Sequence, residues 1–368
     1  MHIFVPALPV VAADLDASTG AAQLTLSFYI VGLALGQLVY GPISDRFGRR
    51  PVLIVGMAVY ALAGLVAMMA PTIGTLIAAR LFQALGGCAG LVLGRAIVRD
   101  NASGEDAARN LSLMNLITMA GPGLSPLVGS ALAATVGWRS IFVVLCALGL
   151  ANLFLTWRLL AESSGGSGRD MLAVLRSYGQ LLRSRRFVGY AIGGGCATTA
   201  LYAFIGAAPF IFVDQLGRPT HEVGFYLAVN IVGVWFGSFT ASRLVKRVSI
   251  GRLMVLGNLL SCAGAAIFLL AVLSGSLTVS LTVLPMLVVT YGAGMASPMA
   301  LTEVLSVNPL IAGSASGLYG FAQMAIGAVC ASSGSIGGNP ALAAGIALLT
   351  AGILAQLFFW MAQRTRPD

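Results

Sequence analysis

Charge is scarce in this sequence, because Asp, Glu, Lys and Arg together make up only 9% of its 368 residues. A soluble domain carries about 25% charged residues. Here 58% of the residues are hydrophobic and the mean hydropathy is +0.92. This balance excludes a water-soluble globule, and we therefore expect the lipid bilayer to be the main partner of the chain.

Clusters of metal-binding or catalytic residues are missing as well. Histidine occurs only as His2 and His221, and the five cysteines lie in apolar runs without a CxxC pair. Metal sites and disulfide frameworks need such clusters. No paired catalytic acids and no phosphate-binding glycine loop lie near a water–lipid boundary. The sequence therefore predicts neither a metal site nor an enzyme.

Apolar runs of about 20 residues are abundant. They match the ~30 Å hydrocarbon core at 1.5 Å per helical residue, whereas barrel strands would alternate in ~10-residue pieces. The pattern predicts an all-α membrane protein. The twelve predicted spans are 1–12, 21–43, 51–70, 74–98, 109–134, 138–160, 188–213, 223–242, 253–273, 277–300, 311–333 and 340–362.

Lys and Arg are sorted by side. Of these 21 residues, 18 fall in loops on one side of the spans, Arg139 and Arg218 fall on the other, and Arg80 lies within a span. The positive-inside rule places the 18 in the cytoplasm, together with the carboxyl terminus, and predicts a multi-pass protein of the bacterial inner membrane. Topology thus accounts for the net charge of +9, and we predict no nucleic-acid partner.

The longest polar connection divides the spans six and six. We predict an N-terminal helical bundle over 1–160, a flexible cytoplasmic linker over 161–187 and a C-terminal bundle over 188–368. Two such bundles are typical of transporters that bind substrate between their halves near mid-membrane. We expect a monomer.

The first span is short for a membrane helix. Twelve helical residues reach only ~18 Å, and the segment lacks the basic start and cleavage site of a signal peptide. We expect roughly 20 or more residues to precede Met1, since a complete span needs about that length. Pro6 and Pro9 would kink the complete helix. The alternative is an inactive, N-terminally truncated product.

The strongest motif lies at the cytoplasmic end of the second span, where residues 41–51 read GPISDRFGRRP. The chain resembles the major facilitator superfamily here, because its loop between helices two and three reads G-x-x-x-D-R-x-G-R-R/K. The resemblance implies a fold of two six-helix bundles. The matching residues are Gly41, Asp45, Arg46, Gly48, Arg49 and Arg50.

The same resemblance implies that this loop is a conformational switch. Asp45 would dock on the amino end of the eleventh helix, near Pro309, where the helix dipole favours a carboxylate. Arg49 would pair with Asp100 at the end of span four. These contacts would hold the cytoplasmic gate closed. On charge alone, a basic anchor with a turn remains an alternative.

An arginine inside span four forms a second match. Residues 80–87 read RLFQALGG and resemble the superfamily's R-x-x-Q-G motif, with Gln83 in place and Ala84 instead of glycine. An arginine within a membrane span is costly and is by default a functional hypothesis, so we assign Arg80 to proton coupling. Two alternatives remain, namely snorkelling to the outer interface and attraction of anionic substrates.

Small residues four apart characterise span five. Such spacing lets two helices approach closely, and it resembles the proline–glycine motif of drug:proton antiporters of this superfamily, in which the helix lies against the matching helix of the other half. Plain packing is the alternative. The motif residues are Gly121, Pro122, Ser125, Pro126 and Gly129.

Three further stretches narrow the resemblance. Residues 5–9 (VPALP), 36–45 (GQLVYGPISD) and 312–324 (AGSASGLYGFAQM) are similar to the bicyclomycin-resistance (Bcr/CflA) family of multidrug exporters. The likeness covers nearly the whole chain. It implies proton-driven efflux of drug-like molecules, with a small-molecule substrate and protons as partners and the proton gradient in place of a cofactor.

The chain departs from that family at one position. Members usually carry an acid four residues before the first-helix proline, where this chain has His2. All 12 acids of the sequence lie near a predicted membrane boundary. Histidine titrates at about pH 6.5, so His2 is our candidate proton carrier. The alternative is that His2 is a start-site accident and the carrier lies upstream.

Helix roles in the family indicate which residues line the cavity. Polar and aromatic side chains there would orient a ligand, although ordinary packing is the alternative for each. A dedicated carrier of amino acids, polyamines or sugars on the same fold is the alternative function. The candidate substrate-binding residues are Tyr29, Gln83, Tyr202, Phe204, Asn230, Tyr291 and Gln323.

Overall fold

A computed structural model describes residues 1–101, 104–161, 171–308, 311–333 and 338–364. Within these ranges it describes the side chains of all residues except 99–101, 104–109, 111–112, 115–117, 119–120 and 171–173. Helix is the only regular secondary structure in these ranges. A 3-10 turn at Val5–Ala7 is followed by α1 (Leu8–Asp14), α2 (Thr19–Phe47), α3 (Arg49–Met68), α4 (Ile73–Asn101), α5 (Gly104–Thr135), α6 (Arg139–Leu159), α7 (Met171–Arg183), α8 (Arg185–Thr199), α9 (Leu201–Phe210), a π-helical turn (Ile211–Gln215), α10 (Thr220–Leu244), α11 (Ile250–Leu273), α12 (Val279–Ser306), α13 (Ala312–Ser333) and α14 (Pro340–Arg364).

The helices occupy the twelve predicted spans, with α8 and α9 together forming the seventh. Within the described ranges, nine helical segments are long and apolar enough to cross a membrane, and the segment Val5–Asp14 is apolar but shorter. The prediction of an all-α membrane protein is confirmed. Side-chain oxygens cap several starts, as where Ser18 accepts a hydrogen bond from the Ala21 amide at 3.2 Å.

Helix α7 lies within the segment predicted as a flexible linker. The predicted linker thus contains a helix of 13 residues in the part of the chain that the structure describes. Apolar side chains recur at helical spacing, and Leu181 is buried where α7 contacts α13 and α8. The helix is therefore stabilised by packing on its neighbours, since 13 residues alone form a marginal helix.

Glycines allow close approach of neighbouring helices in both halves of the chain. A Cβ atom at Gly86 of α4 would lie 2.5 Å from the Gly56 carbonyl oxygen of α3. A Cβ atom at Gly292 of α12 would lie 2.2 Å from the Gly257 carbonyl oxygen of α11. Small residues are what such backbone contacts in membranes require.

Two helix pairs join the first half (α1–α6) to the second half (α8–α14): α2 packs along α13, and α5 packs along α10. Within the α2–α13 contact, Gly320 leaves room for the side chain of Gln37, because a Cβ atom there would lie 1.6 Å from Gln37 Oε1. Near the other end of α2, Gln23 Nε2 donates a hydrogen bond to the Gly206 carbonyl at 3.3 Å.

Hydrogen bonds also connect the ends of neighbouring helices on both sides of the molecule. At the arginine-rich end, where α2 meets α3, Arg50 Nη2 donates to the Trp157 carbonyl at 2.7 Å. At the opposite end, Arg139 Nη1 lies 2.6 Å from Asp14 Oδ2, and Trp138 Nε1 donates to the same oxygen at 3.0 Å. Both sets of contacts connect α6 to other helices of the first half.

Candidate functional site between the halves

The loop of residues 41–51 is held by short-range contacts. Gly48 joins α2 to α3 with φ +91°, a conformation that only glycine adopts readily. Asp45 Oδ1 lies 2.6 Å from Arg49 Nη1, which also donates a hydrogen bond to Ser44 Oγ. The Arg46 guanidinium lies 5.3 Å from the ring of Phe47.

Other parts of the predicted switch remain predictions. The side chain of Asp100 lies outside the described residues, as does Pro309 at the start of the eleventh span, so neither predicted contact of this loop is tested. A Cβ atom at Gly41 would meet nothing within 4 Å, so close packing does not require glycine there.

Arg80 lies in the interior of the first half, with its side chain fully buried. Three aromatic rings surround its guanidinium, at 5.0 Å for Phe4, 4.0 Å for Tyr29 and 5.8 Å for Phe142. Arg80 Nη1 donates to Gln83 Oε1 at 2.6 Å. Full burial of the guanidinium among protein side chains argues against the snorkelling alternative.

His2 lies where the first segment (residues 1–14) meets the second half. Its ring centroid is 6.5 Å from that of Tyr202. Together with Asn230, it lines a narrow cleft between the halves. The nine lining residues are His2, Pro122, Pro126, Leu201, Phe204, Ile205, Leu227, Asn230 and Ile231.

Asn230 presents an unused acceptor in the structure. Its side chain is buried, Nδ2 donates to the Tyr226 carbonyl at 2.9 Å, and Oδ1 has no hydrogen-bond partner among the described residues. A buried acceptor without a donor is costly. The cleft beside His2 thus contains one polar group suited to a hydrogen bond from a ligand.

The motif of α5 contacts two different neighbours. A Cβ atom at Gly129 would lie 1.7 Å from the Ile3 carbonyl oxygen, so this glycine admits the first segment. Pro126 approaches α10, because a Cβ atom at Gly224 would lie 2.4 Å from the Pro126 carbonyl oxygen. Gly121 has nothing within 4 Å, and Ser125 is partly buried. The predicted stripe is thus not a single contact face.

The candidate substrate-binding residues fall into separate groups. Tyr29 and Gln83 surround Arg80, while Tyr202, Phe204 and Asn230 lie near His2. The two others are bound to neighbouring helices within the second half: the Tyr291 hydroxyl bonds Thr240 Oγ1 at 3.0 Å, and Gln323 Nε2 donates to Thr198 Oγ1 at 2.8 Å.

Sequence reasoning missed two polar clusters at the ends of the helices. Arg186 Nη2 donates to Glu303 Oε2 at 3.3 Å in a cleft of about 640 Å³ at the arginine-rich end. At the opposite end, hydrogen bonds from Arg139 and Trp138 lower the pKa of the carboxyl of Asp14, the last residue of α1. The sequence shows that these residues are charged, but it does not show which of them pair, because the two members of each pair lie more than 100 residues apart.

A family model of the Major Facilitator Superfamily matches residues 1–332. The chain belongs to this superfamily. It is 30% identical to the MFS-type transporter YdgK of Bacillus subtilis (strain 168), over 100% of this chain and 92% of that protein. It is 31% identical to multidrug resistance protein D of Escherichia coli (strain K12), over 87% of this chain and 81% of that protein.

A bicyclomycin resistance protein homolog of Haemophilus influenzae is 29% identical, over 90% of this chain and 84% of that protein. The predicted resemblance to bicyclomycin-resistance exporters is thus confirmed at the level of sequence. The crystal structure of a D-xylose–proton symporter superposes with a TM-score of 0.77 at 16% identity, covering 100% of this chain and 94% of that one. That likeness confirms the major facilitator fold, and the chain is a multi-pass membrane transporter, not an enzyme.

Proposed function

We propose that this transporter exports drug-like small molecules in exchange for protons, by alternating access between two six-helix halves. The observation that carries the proposal is the set of titratable and aromatic residues at the junction of the halves, His2, Tyr202 and Tyr29, next to the buried Arg80. The relatives named for bicyclomycin and multidrug resistance support export of drugs.

Rocking of the halves requires contact surfaces that can rearrange. The pairs α2–α13 and α5–α10 join residues 1–160 to residues 188–368 and are the surfaces along which we expect the halves to tilt. Glycine at 320 and at 224 lets these helices approach each other closely. The central cleft would then open to one side of the membrane at a time.

The orientation follows from charge. The end of the molecule with 18 of the 21 Lys and Arg residues would face the cytoplasm of a bacterium, with the carboxyl terminus on that side of the inner membrane. Closure of that end by Asp45 and its arginines would favour the outward-facing state. No second copy of the chain is needed for this cycle, and we propose a monomer.

Proton coupling is assigned to His2, assisted by Arg80. An antiporter needs a group that exchanges protons with both faces, and the 12 acids of the sequence lie near predicted membrane boundaries. An imidazole can bind and release a proton. Because His2 lines the cleft between the halves, its protonation would compete with the presence of substrate.

The export proposal is tested by drug accumulation in cells that lack other pumps. Expression of the protein is expected to lower accumulation of several unrelated drugs. If no drug of a broad panel responds while the protein is verified in the membrane, export is contradicted. Strict preference for one natural solute in proteoliposome counterflow would instead identify a dedicated metabolite carrier.

The coupling proposal is tested in proteoliposomes with an imposed pH gradient. His2→Ala is expected to abolish gradient-driven transport while leaving substrate exchange at equal pH, because exchange requires no net proton movement. His2→Asp should retain coupling, and His221→Ala, at the start of α10, is the matched control. Unchanged gradient-driven transport in His2→Ala would exclude His2 as the carrier.

A further inference from the structure

We propose that Arg80 and Gln83 form a binding site for the carboxylate of an anionic, aromatic substrate. The proposal rests on the transport function above and names the charge class of the transported molecule. It departs from the assignment of Arg80 to proton coupling alone.

The site is a cluster of donors without acceptors. Arg80 Nη1 is bound to Gln83 Oε1, but Arg80 Nε, Arg80 Nη2 and Gln83 Nε2 are buried and have no hydrogen-bond partner among the described residues. Buried donors of native proteins are nearly always satisfied, so a group of three calls for a ligand. The ligand must supply acceptors, and the bond to Gln83 Oε1 fixes the Gln83 amide beside the guanidinium.

The charge of the site is also uncompensated. Arg80 is the only charged side chain among the buried residues that the structure describes, and its guanidinium has no carboxylate partner there. All 12 acids of the sequence lie near a predicted membrane boundary. A buried cation without a counter-ion is strongly unfavourable, and a guanidinium matches a carboxylate with two parallel hydrogen bonds.

Aromatic rings define the rest of the site. The rings of Phe4, Tyr29 and Phe142 lie within 6 Å of the guanidinium and stabilise it in part through cation–π contacts. They also offer flat apolar surfaces on which an aryl group can stack. The chemistry of this cluster therefore favours an aryl carboxylate over an aliphatic one and over any cation.

Tyr29 connects the site to the junction of the halves. Its ring is 4.0 Å from the guanidinium, and its helix α2 contacts α9, which carries Tyr202. Tyr202 in turn contacts the ring of His2. Movement of α9 relative to α2 during the transport cycle would uncover Tyr29, which gives a substrate a route from the central cleft to Arg80.

The test compares two ligands of nearly equal shape, 2-naphthoate and 2-naphthamide, by equilibrium dialysis against the purified full chain in detergent. Charge-assisted hydrogen bonds are about twice as strong as neutral ones, so we expect naphthoate to bind about tenfold more tightly or better. Arg80→Gln should remove this preference and Gln83→Leu should reduce it. Arg243→Gln, which removes an exposed arginine in the last turn of α10, should leave it unchanged.

Arg80→Lys keeps the charge but loses the paired donors, and it should bind naphthoate more weakly than the wild type while still preferring it to naphthamide. If size-exclusion chromatography shows that Arg80→Gln is not folded, Arg80→Lys replaces it in the test. Equal binding of the two ligands, no binding of either, or a preference that survives in Arg80→Gln would overturn the proposal. Drug export without charge preference would refute this inference alone, whereas naphthoate preference without any export would refute the proposed function alone.

Discussion

Gly129→Ala offers a direct test of how α5 positions the candidate site. A Cβ atom at residue 129 would lie 1.7 Å from the Ile3 carbonyl oxygen, and Cβ atoms essentially never approach such an atom more closely than 3.0 Å. The first segment must therefore retreat by about 1.3 Å. Because the obstacle is backbone, no side-chain rotation relieves it. Overpacking of this kind costs about 1–3 kcal/mol.

The displacement affects function because Ile3 lies between two residues of the site. His2 precedes it and Phe4 follows it, so both the imidazole beside Tyr202 and the ring over Arg80 must shift. Misplacement by about 1 Å can reduce the rate of a positioned reaction ~100-fold. We expect gradient-driven transport in proteoliposomes to fall at least about tenfold, and the midpoint of thermal unfolding to decrease.

Gly121→Ala is the matched control. It lies eight residues earlier in the same helix, and a Cβ atom there would have nothing within 4 Å. Alanine is also the better helix former by about 1 kcal/mol. Transport by Gly121→Ala should match the wild type, and its unfolding midpoint should be equal to that of the wild type or slightly higher. If Gly129→Ala behaves like the wild type, or if both variants lose transport equally, the placement of the first segment against α5 is refuted.

Three further predictions concern other parts of the fold. Gly48→Ala should destabilise the protein by about 1–3 kcal/mol in reversible unfolding, because φ +91° at this position is accessible essentially to glycine alone, and no loss of stability would contradict the turn. Asp14→Asn should lower the unfolding temperature by the same amount throughout pH 5–8. The hydrogen bond from Arg139 lowers the pKa of Asp14, so the stabilising effect of this bond is complete above the ordinary pKa and is lost only as the pH falls through the lowered pKa. A decrease in unfolding temperature that varies between pH 5 and 8 would contradict this argument. Asn258→Leu should cost about 1 kcal/mol of stability, since Asn258 Nδ2 donates to the Gly352 carbonyl at 2.9 Å between α11 and α14, and unchanged unfolding would exclude that contact.

The membrane helices could be predicted from the sequence because each consists of an apolar run of sufficient length. Lipid offers no hydrogen-bond partners to the backbone, so a membrane-spanning apolar run must form its hydrogen bonds internally, as an α-helix does. Helix α7 could not be predicted in the same way. It has only 13 residues, and Leu181 becomes buried through contact with helices that are distant in sequence.

Arg80 shows where the candidate site exceeds what a sequence can reveal. The sequence placed this arginine in a span but left snorkelling and anion binding as open alternatives. Burial decides against snorkelling, and it arises from Phe4, Tyr29 and Phe142, which lie on three separate segments. The spacing of these residues in the sequence does not show that their rings lie together around Arg80.

The α5 motif was predicted as one stripe of small residues with spacing four. In the structure, Gly123 lies against Trp235 of α10, and Pro126 lies against the same helix. Gly129 faces the first segment instead. A helix has 3.6 residues per turn, so positions spaced by four drift around its axis and meet different neighbours. The sequence therefore indicated the contact of α5 with the other half, but not the contact of Gly129 with the first segment.

The central claim is that two halves exchange a small molecule for protons around the cleft lined by His2. Its most direct test is transport by the purified protein in proteoliposomes, with neutral, anionic and cationic drugs and an imposed pH gradient. The account predicts that at least one drug is accumulated against its gradient in the compartment that starts more acidic, and that a protonophore abolishes this accumulation. Accumulation that is indifferent to the pH gradient, or folded protein that moves no drug, would contradict it.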